Sequence, residues 1–265
     1  MLQTLDLFGI QLNAFVTFNA LGFFVAFIII WFQFKKYKFS VKDYVAVVLI
    51  ITFGGFVGSK IFYIFEEFST FMERPTEVFF SFEGSGFFGG FTFVLILFHI
   101  YFKRKNIGVL AVLDACILCV PFGIILGRIG CFLAGDGCYG LPSSMPWAMT
   151  FPEGVMPTYI PVHPTQIYEI IGYSLIIVCM LRIEKYSIGV GFNFGYYLIL
   201  SGIFRFFIEF FRMNIEVVFG LTAQQLFSFM FVCIGLSLIA KSKHALRFSM
   251  LERAAHFNTD GIRNR

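Results

Sequence analysis

Seven apolar runs divide the sequence, and they constrain its fold more than any other feature. A helix needs roughly 20 residues to cross a hydrocarbon core of about 30 Å, and the runs reach or approach that length. They cover residues 14–34, 44–65, 87–102, 107–127, 165–181, 190–211 and 221–240. With 58% hydrophobic and 14% charged residues and a mean hydropathy of +0.82, the composition excludes a soluble domain. We therefore expect an all-α integral membrane protein with seven transmembrane helices.

The distribution of lysine and arginine predicts the orientation of these helices. Fifteen of the twenty Lys and Arg residues lie in four segments that share one side if there are seven crossings: residues 35–43, 103–105, 182–185 and 241–265. Positive charge accumulates on the cytoplasmic side. The amino terminus is therefore expected outside and the carboxyl terminus inside. The pattern predicts one transmembrane domain over residues 1–240, with external loops 66–86 and 131–164, and a basic cytoplasmic tail over residues 241–265.

Three cations depart from this charge pattern. Lys60, Arg128 and Arg205 fall within or at the outer ends of the second, fourth and sixth predicted helices. A charge at membrane depth costs at least about 2.5 to 3.5 kcal/mol on insertion scales and is usually kept for a substrate, an ion path or a buried partner. Together the three cations predict an anion site in the outer half of the membrane. Lys60 has a second interpretation, in which its side chain extends to the membrane surface.

Glycines and acids accompany the two arginines. Gly127, Gly130 and Gly135 allow the backbone to approach a ligand closely, and we expect them to line the mouth of the site. Glu209 follows Arg205 by four residues, so the two form either a structural helix pair or part of the anion site. Asp136 follows Arg128 and either orients it or accepts a proton.

The segment VHPTQIYE at 162–169 contains further candidates. His163 is the one histidine that the predicted topology places outside. It serves either as a base near neutral pH or as a structural residue that caps the fifth helix or bonds within its loop. Glu169 lies one turn inside that helix. We expect Glu169 and Glu209 to hold arginines in place.

Cys131 and Cys138 fall in the predicted loop that follows Arg128. They either form a disulfide, because the exported compartment is oxidising, or remain a pair of free thiols. The sequence has no regular metal-ligand spacing and no nucleotide phosphate-loop motif. It therefore predicts no metal site, no cofactor and no nucleic acid partner.

Five motifs follow one another between residues 20 and 240: GGFVGSKIFYIFE at 54–66, GSGFFGG at 84–90, LGRIGCFLAGDGCYG at 126–140, HPTQIYE at 163–169 and GIFRFFIEFFR at 202–212. In this combination they resemble the prolipoprotein diacylglyceryl transferase family. The resemblance implies a multi-pass enzyme of the bacterial inner membrane. Such an enzyme moves the diacylglyceryl group of phosphatidylglycerol, a membrane lipid, to the lipobox cysteine in the signal peptide of a prolipoprotein. It also implies that Arg128 and Arg205 correspond to two essential arginines that hold the lipid phosphate.

The sequence departs from the family pattern at several positions. Phe88 occupies the place of the family histidine that is often proposed as the base, Cys131 replaces an asparagine, and Asp136 replaces a glutamate. Phe15 and Ser201 stand where the family has tyrosines. Two hypotheses therefore remain: a transferase that activates the acceptor thiol in another way, or a phospholipid-binding membrane protein of the same fold that is not catalytic or uses another acceptor. A small-solute transporter would need cations facing both sides in turn, whereas these collect on one.

Overall fold

The protein is described here from a computed structural model, which covers residues 3–7, 10–66, 68–74, 87–186 and 189–242. Its helices are α1 (Ala14–Lys36), α2 (Val41–Leu49), α3 (Gly55–Glu66), α4 (Phe68–Glu73), α5 (Phe87–Lys103), α6 (Val109–Cys116), α7 (Cys119–Ala134), α8 (Thr165–Ile183), α9 (Phe192–Ile208) and α10 (Ala223–Ser242). A π-helical turn, Ile50–Gly54, joins α2 to α3. Three antiparallel hairpins complete the described chain: β1 (Thr4–Leu7) with β2 (Ile10–Asn13), β3 (Met149–Phe151) with β4 (Thr158–Val162), and β5 (Glu216–Val218) with β6 (Leu221–Thr222).

Among the described residues, five apolar helical segments are long enough to cross a membrane: Ala14–Lys36, Val41–Phe65, Thr165–Tyr186, Phe192–Phe211 and Ala223–Ser242. Helices α6 and α7 add a sixth if this pair, bent by 45°, is one span. Helix α5, of 17 residues, matches the remaining predicted run but is shorter than the five spanning segments. The expectation of a mostly helical, multi-span membrane protein is confirmed. The number of seven crossings and their orientation stay predictions, and most of the tail, residues 243–265, lies outside the described residues.

The fourth predicted helix differs from its prediction in shape and length. It is broken between α6 and α7, and it continues to Ala134 instead of ending at residue 127. Cys131, predicted in the external loop, is therefore buried inside a helix. Gly130, beyond the predicted end at residue 127, packs closely against the backbone of Phe15 in α1, and the helix continues through it. The helix ends at Gly135, whose left-handed φ of 60° is typical of a helix C-terminus.

Contacts divide the chain into two compact units, Met1–Ile29 with Cys116–Arg265, and Ile30–Ala115. The predicted single domain over residues 1–240 therefore stays a prediction. The core of the first unit contains buried apolar and aromatic side chains from the α6–α7 break, α8 and α9: Ile117, Leu118, Tyr173, Ile176, Met180, Tyr197 and Leu198. This packing fixes α7, α8 and α9 against one another, and these helices carry the charged residues described below.

In the second unit, glycines allow α3 and α5 to cross closely. A Cβ on Gly58 would lie 2.3 Å from the Cβ of Phe93 and 2.8 Å from the carbonyl oxygen of Gly89. A Cβ on Gly89 would lie 2.2 Å from the Cβ of Phe62. Small residues at such positions bring membrane helices into direct backbone contact. The motifs at 54–66 and 84–90 thus contribute to one helix crossing.

Candidate active site

Glu169 is the shared partner of three arginines in the first unit. It lies in the second turn of α8 and is 1% exposed. Its Oε2 accepts a hydrogen bond from Arg128 Nε at 2.7 Å. Its Oε1 accepts from Arg205 Nη1 at 3.2 Å and from Arg212 Nη1 at 2.9 Å. One carboxylate therefore draws together guanidinium groups from α7, from α9 and from the segment that follows α9.

Glu209 provides a second buried carboxylate beside this group. Its Oε2 lies 3.0 Å from Arg205 Nη2 in an i, i+4 ion pair. The two groups are close enough for an ion pair, but they are not oriented as in a hydrogen bond. Its Oε1 accepts hydrogen bonds from Asn214 Nδ2 and, at 3.2 Å, from Thr222 Oγ1. Glu209 is thus an i, i+4 partner of Arg205 within the cluster, and its part in an anion site stays a prediction.

The cluster retains unused donors and one unit of positive charge. Its three arginines and two glutamates leave one positive charge uncompensated. The side chains of Arg128 and Arg205 are each 21% exposed, whereas both carboxylates are almost fully buried. Arg128 bonds Glu169 through Nε, and its two Nη groups make no hydrogen bond with any described residue. Arg212 Nε is buried and also lacks a hydrogen-bond partner within the described part of the chain. Arg128, Arg205 and Glu209 thus lie in one cluster whose free donors can bind an anion, and the predicted anion site stays a prediction.

Local hydrogen bonds bring the segments of the cluster together. Thr165 Oγ1, at the start of α8, donates to the carbonyl of Cys138 at 2.7 Å. The Gly140 amide donates to the carbonyl of His163, and the Leu141 amide donates to the carbonyl of Phe211, both at 2.8 Å. The loop after α7 is therefore attached to the beginning of α8 and to the residue before Arg212. A side chain at position 140 would not fit, because its Cβ would lie 2.0 Å from the Phe211 carbonyl oxygen.

The beginning of α10 supports Glu209 from the other side. Thr222 Oγ1 accepts a hydrogen bond from the Gln225 amide at 3.3 Å, and Gln225 Oε1 accepts one from the Thr222 amide at 3.0 Å. This reciprocal pair is a capping box. Because the same Thr222 hydroxyl donates to Glu209, the helix start and the charged cluster share one side chain.

Comparison with known proteins assigns this chain to a family. The model of the family described as prolipoprotein diacylglyceryl transferase matches residues 3–241. The chain belongs to this family. Several relatives are each named phosphatidylglycerol–prolipoprotein diacylglyceryl transferase. One from Clostridium tetani is 31% identical over 235 residues, which is 87% of this chain and 93% of the relative. Others are from Methylococcus capsulatus, 33% identical over 204 residues and 74% of each chain, and from Pasteurella multocida, 35% identical over 162 residues, 60% of this chain and 58% of the relative.

Arg212 is a member of the cluster that the sequence did not predict, since it lies one residue beyond the sixth apolar run, 190–211. In this member of the diacylglyceryl transferase family, it follows the short 3₁₀ turn Glu209–Phe211 and bonds Glu169. A sequence signal for it existed. Arg212 follows Arg205 by seven residues, about two helical turns, so the two arginines fall on one face if the helix continues.

Cys131, Asp136 and Cys138 form a second polar group close to Arg128. Their two sulfurs and a carboxylate oxygen lie within 4.8 Å of one another, so these side chains can hold a metal ion. Both cysteines are free thiols, as in one of the two predicted alternatives. The pKa of Cys138 is lowered to about 7, because the hydrogen bond with the Cys131 thiol and the charge of Arg128 together outweigh burial and Asp136, which raise it. Asp136 accepts a hydrogen bond from the Cys138 amide, whereas the carboxylate bonded to Arg128 is that of Glu169.

His163 lies in an aromatic group next to the start of α8. Its Nδ1 is 3.1 Å from the hydroxyl oxygen of Tyr168, which accepts a hydrogen bond from Trp147 Nε1 at 2.6 Å. Its ring also contacts Phe211, with ring centroids 5.1 Å apart. These contacts agree with the structural interpretation of His163, and its predicted role as a base stays a prediction.

The remaining predicted site residues have packing contacts. A Cβ on Gly127 would lie 3.5 Å from Asn19 Oδ1. Gly130 packs against α1, and Gly135 ends α7. Their predicted place at the mouth of the site stays a prediction. Lys60 belongs to the second unit, where it is 1% exposed and its Nζ lies 5.9 Å from the centroid of the Tyr63 ring.

Two of the replaced family positions lie in described segments of the first unit. Phe15 packs its backbone against Gly130, two residues from Arg128. Ser201 is buried in α9, and its hydroxyl donates to the Leu198 carbonyl at 3.5 Å. Phe88, at the family histidine position, lies in the first turn of α5, and its side chain is outside the described part of the structure.

Proposed function

We propose that this chain transfers the diacylglyceryl group of phosphatidylglycerol to the lipobox cysteine of a prolipoprotein, in the bacterial inner membrane. The observation that carries the proposal is the sharing of Glu169 by Arg128, Arg205 and Arg212 in a chain of this family. The one uncompensated positive charge matches the single negative charge of a phosphodiester.

The phosphate of the lipid would bind where donors are free. Arginine presents a planar fork that bonds phosphate oxygens at two points, and its charge is permanent. The Nη groups of Arg128, whose side chain is 21% exposed, supply such donors without first breaking a hydrogen bond to a described residue. Arg205 is bonded to both glutamates and would change partners when the phosphate arrives.

An apolar groove next to the cluster suits the acyl chains. It has a volume of about 570 Å³ and lies between α8 and α9, lined by residues that include Ile171, Leu175, Ile203 and Phe207. Tyr168 and Phe204, which also line it, are the sequence neighbours of Glu169 and Arg205. A lipid with its phosphate on the arginines therefore has an apolar surface beginning one residue away on each helix.

The same arginines would assist the chemical step. As the acceptor sulfur attacks the glyceryl carbon, the bond from that carbon to the phosphate oxygen breaks and the phosphate gains a second negative charge. Fixed cations placed where charge develops stabilise the transition state. The acceptor must react as a thiolate, and a free cysteine with a pKa near 8.5 is only a few per cent ionised at pH 7. Cations near the acceptor thiol favour its ionised form.

The test is transfer of labelled phosphatidylglycerol to a lipobox peptide in membranes containing each variant. Arg128→Ala and Arg205→Ala should each abolish transfer, because each removes a donor to the phosphate. Arg182→Ala, at the exposed end of α8, is the matched control and should leave transfer unchanged. Full activity in either site variant, with the protein inserted, would refute the phosphate clamp.

The second candidate is a phospholipid-binding membrane protein that is not catalytic or uses another acceptor. The replacement of the family histidine by Phe88 and of two tyrosines by Phe15 and Ser201 favours it. Lipid binding that needs Arg128, without transfer by the unsubstituted protein, would support this alternative. Rescue of growth in a strain depleted of its own transferase would support transfer.

A further inference from the structure

Three side chains with metal-binding atoms converge just beyond Arg128. The sulfurs of Cys131 and Cys138 and an oxygen of Asp136 all lie within 4.8 Å of one another. Within the described ranges, no other group of three histidine, cysteine or acidic side chains comes this close together. Cys131 is buried in the last turn of α7, and the other two residues are half-buried in the loop that follows.

The backbone turn after α7 explains the convergence. Gly135 and Gly137 have positive φ angles of 60° and 83°, in the left-handed region that glycine adopts without strain. Between them, the Asp136 carboxylate accepts a hydrogen bond from the Cys138 amide at 3.1 Å. The chain therefore reverses within a few residues and returns the Cys138 thiol to Cys131.

The ligand set suits a divalent ion that favours sulfur. Zinc binds thiolate sulfur at about 2.3 Å and carboxylate oxygen at about 2.0 to 2.2 Å in a tetrahedron, which separates ligand atoms by about 3.5 to 3.8 Å. The two sulfurs and the carboxylate oxygen are at most 4.8 Å apart, and small side-chain rotations bring them to this tetrahedral separation. Two thiolates and a carboxylate around a divalent ion leave one negative charge. Three protein ligands leave a fourth position open, as in catalytic zinc sites.

We propose that Cys131, Asp136 and Cys138 hold a zinc-class ion whose open position binds the acceptor cysteine as a thiolate. This inference rests on the proposed transfer function and adds the activation of the acceptor thiol, which Phe88 at the family histidine position does not supply. A thiol that coordinates such an ion is deprotonated, and metal coordination is one of the ways in which enzymes activate nucleophiles.

The transfer step balances with this arrangement. The acceptor thiol releases its proton to solvent when the sulfur coordinates the ion. A sulfur lone pair then attacks the glyceryl carbon, a C–S bond forms, and the C–O bond to the phosphate breaks with its electron pair leaving on oxygen. A thiolate and a phosphodiester, each with one negative charge, become a neutral thioether and a glycerol phosphate with two. The thioether is the weaker ligand and leaves the fourth position open again.

Metal binding can be measured separately from lipid transfer. The full-length protein in detergent, reduced and freed of metal with a chelator, is titrated with Co²⁺, whose thiolate complexes have a sulfur-to-cobalt absorption band. The endpoint of the cobalt titration counts the sites, and competition with Zn²⁺ measures the affinity for zinc. We expect one ion per chain and an affinity at least tenfold lower in Cys138→Ser and in Asp136→Asn. Cys233→Ser, which changes an exposed cysteine in α10, is the matched control and should bind as the unsubstituted protein does.

Addition of a lipobox peptide should shift the visible cobalt bands, whereas the same peptide with serine in place of cysteine should not. Absence of a stoichiometric cobalt complex, a disulfide between Cys131 and Cys138 in the isolated protein, or full transfer by Cys138→Ser would overturn the metal site and leave the proposed function intact. A peptide-dependent cobalt spectrum in a protein that transfers no lipid would support the thiol-binding ion and refute the transferase proposal.

Discussion

At the residue scale, the charged cluster is organised by its acids as much as by its arginines. Glu169 and Glu209 are almost fully buried, and each is bonded by groups from more than one segment. Removing one partner of a buried ion pair typically costs 3 to 5 kcal/mol, since it leaves an uncompensated charge. Arginines held in this way lose little conformational freedom when a phosphate binds.

Arg212 gives the sharpest test of the cluster at this scale. Arg212→Ala removes a guanidinium bonded to Glu169 at 2.9 Å, together with a buried Nε donor. Hydrogen bonds that involve a charged group contribute about 1.5 to 3 kcal/mol. We therefore expect a loss of about ten- to hundredfold in kcat/KM, measured by lipid transfer to a lipobox peptide. Arg212→Lys should recover part of it, because it restores the charge without the fork. Equal activity of Arg212→Ala and Arg182→Ala would contradict this role.

His163 is expected to act through Tyr168. His163→Gln should leave measurable transfer, with a loss of about ten- to hundredfold, at or below the low end of the range of roughly 10² to 10⁴ for a general base. Tyr168→Phe should have a similar effect, because it removes the hydroxyl to which His163 bonds. The pH profile of kcat/KM should keep its shape in both variants. Complete loss in His163→Gln with the protein folded, or loss of one limb of that profile, would identify His163 as the base.

Much of the site at this scale could be predicted from the sequence. Arg128 and Arg205 were identified because charge at membrane depth is costly, and the Arg205–Glu209 spacing predicted their contact. Arg212 was missed because a cation beside a loop needs no special explanation in the sequence. The approach of Cys138 to Cys131 was missed as a ligand group because it depends on two positive φ angles that spacing alone does not show.

At the element scale, glycine has two structural roles that the sequence alone does not distinguish. Gly130 allows α1 to approach α7 and leaves the helix continuous, whereas Gly135 ends that helix. The distinction depends on what faces each glycine, and that is a property of the packed helices. This ambiguity explains why the predicted end of the fourth helix was seven residues too early.

The crossing of α3 and α5 provides a test at this scale. Gly89→Ala would place a methyl group 2.2 Å from the Cβ of Phe62 and 2.7 Å from the carbonyl oxygen of Gly58. Neither contact is with a flexible chain end, so the helices must separate, and overpacking of this kind typically costs 1 to 3 kcal/mol. We expect a lower Tm in detergent for Gly89→Ala. Gly108→Ala is the matched control, because a Cβ there meets no atom within 4 Å. An unchanged Tm for Gly89→Ala would refute the close crossing.

At the scale of the whole molecule, orientation is the main prediction that remains to be measured. The distribution of lysine and arginine predicts that position 150 lies outside and position 255 inside. Reporter fusions active only in the cytoplasm should be silent after residue 150 and active after residue 255. The opposite result at either position would contradict the seven-crossing topology. The bent pair α6 and α7 is the segment most able to change the number of crossings, because it is a single span only if both helices cross together.

Composition was sufficient to predict a multi-span helical protein, because long apolar runs have few other stable arrangements. The break between α6 and α7 has a sequence signal that apolar length alone does not contain. Pro121, in the first turn of α7, has no amide hydrogen to donate to the carbonyl of Ile117 four residues earlier, and its ring clashes with that carbonyl, so a continuous helix is interrupted there.

If the cluster holds the lipid phosphate as proposed, the sharing of Glu169 also affects how the site empties after each reaction. Glycerol phosphate leaves with twice the negative charge of the bound lipid, so three arginines without a competing anion would retain the product longer than the substrate. Glu169 remains attached to α8 and bonded to Arg128 and Arg212, and it can rebind Arg205, the arginine that changes partners, as the phosphate moves away. A tethered carboxylate therefore shortens the residence time of the product and returns the arginines to the arrangement that receives the next lipid.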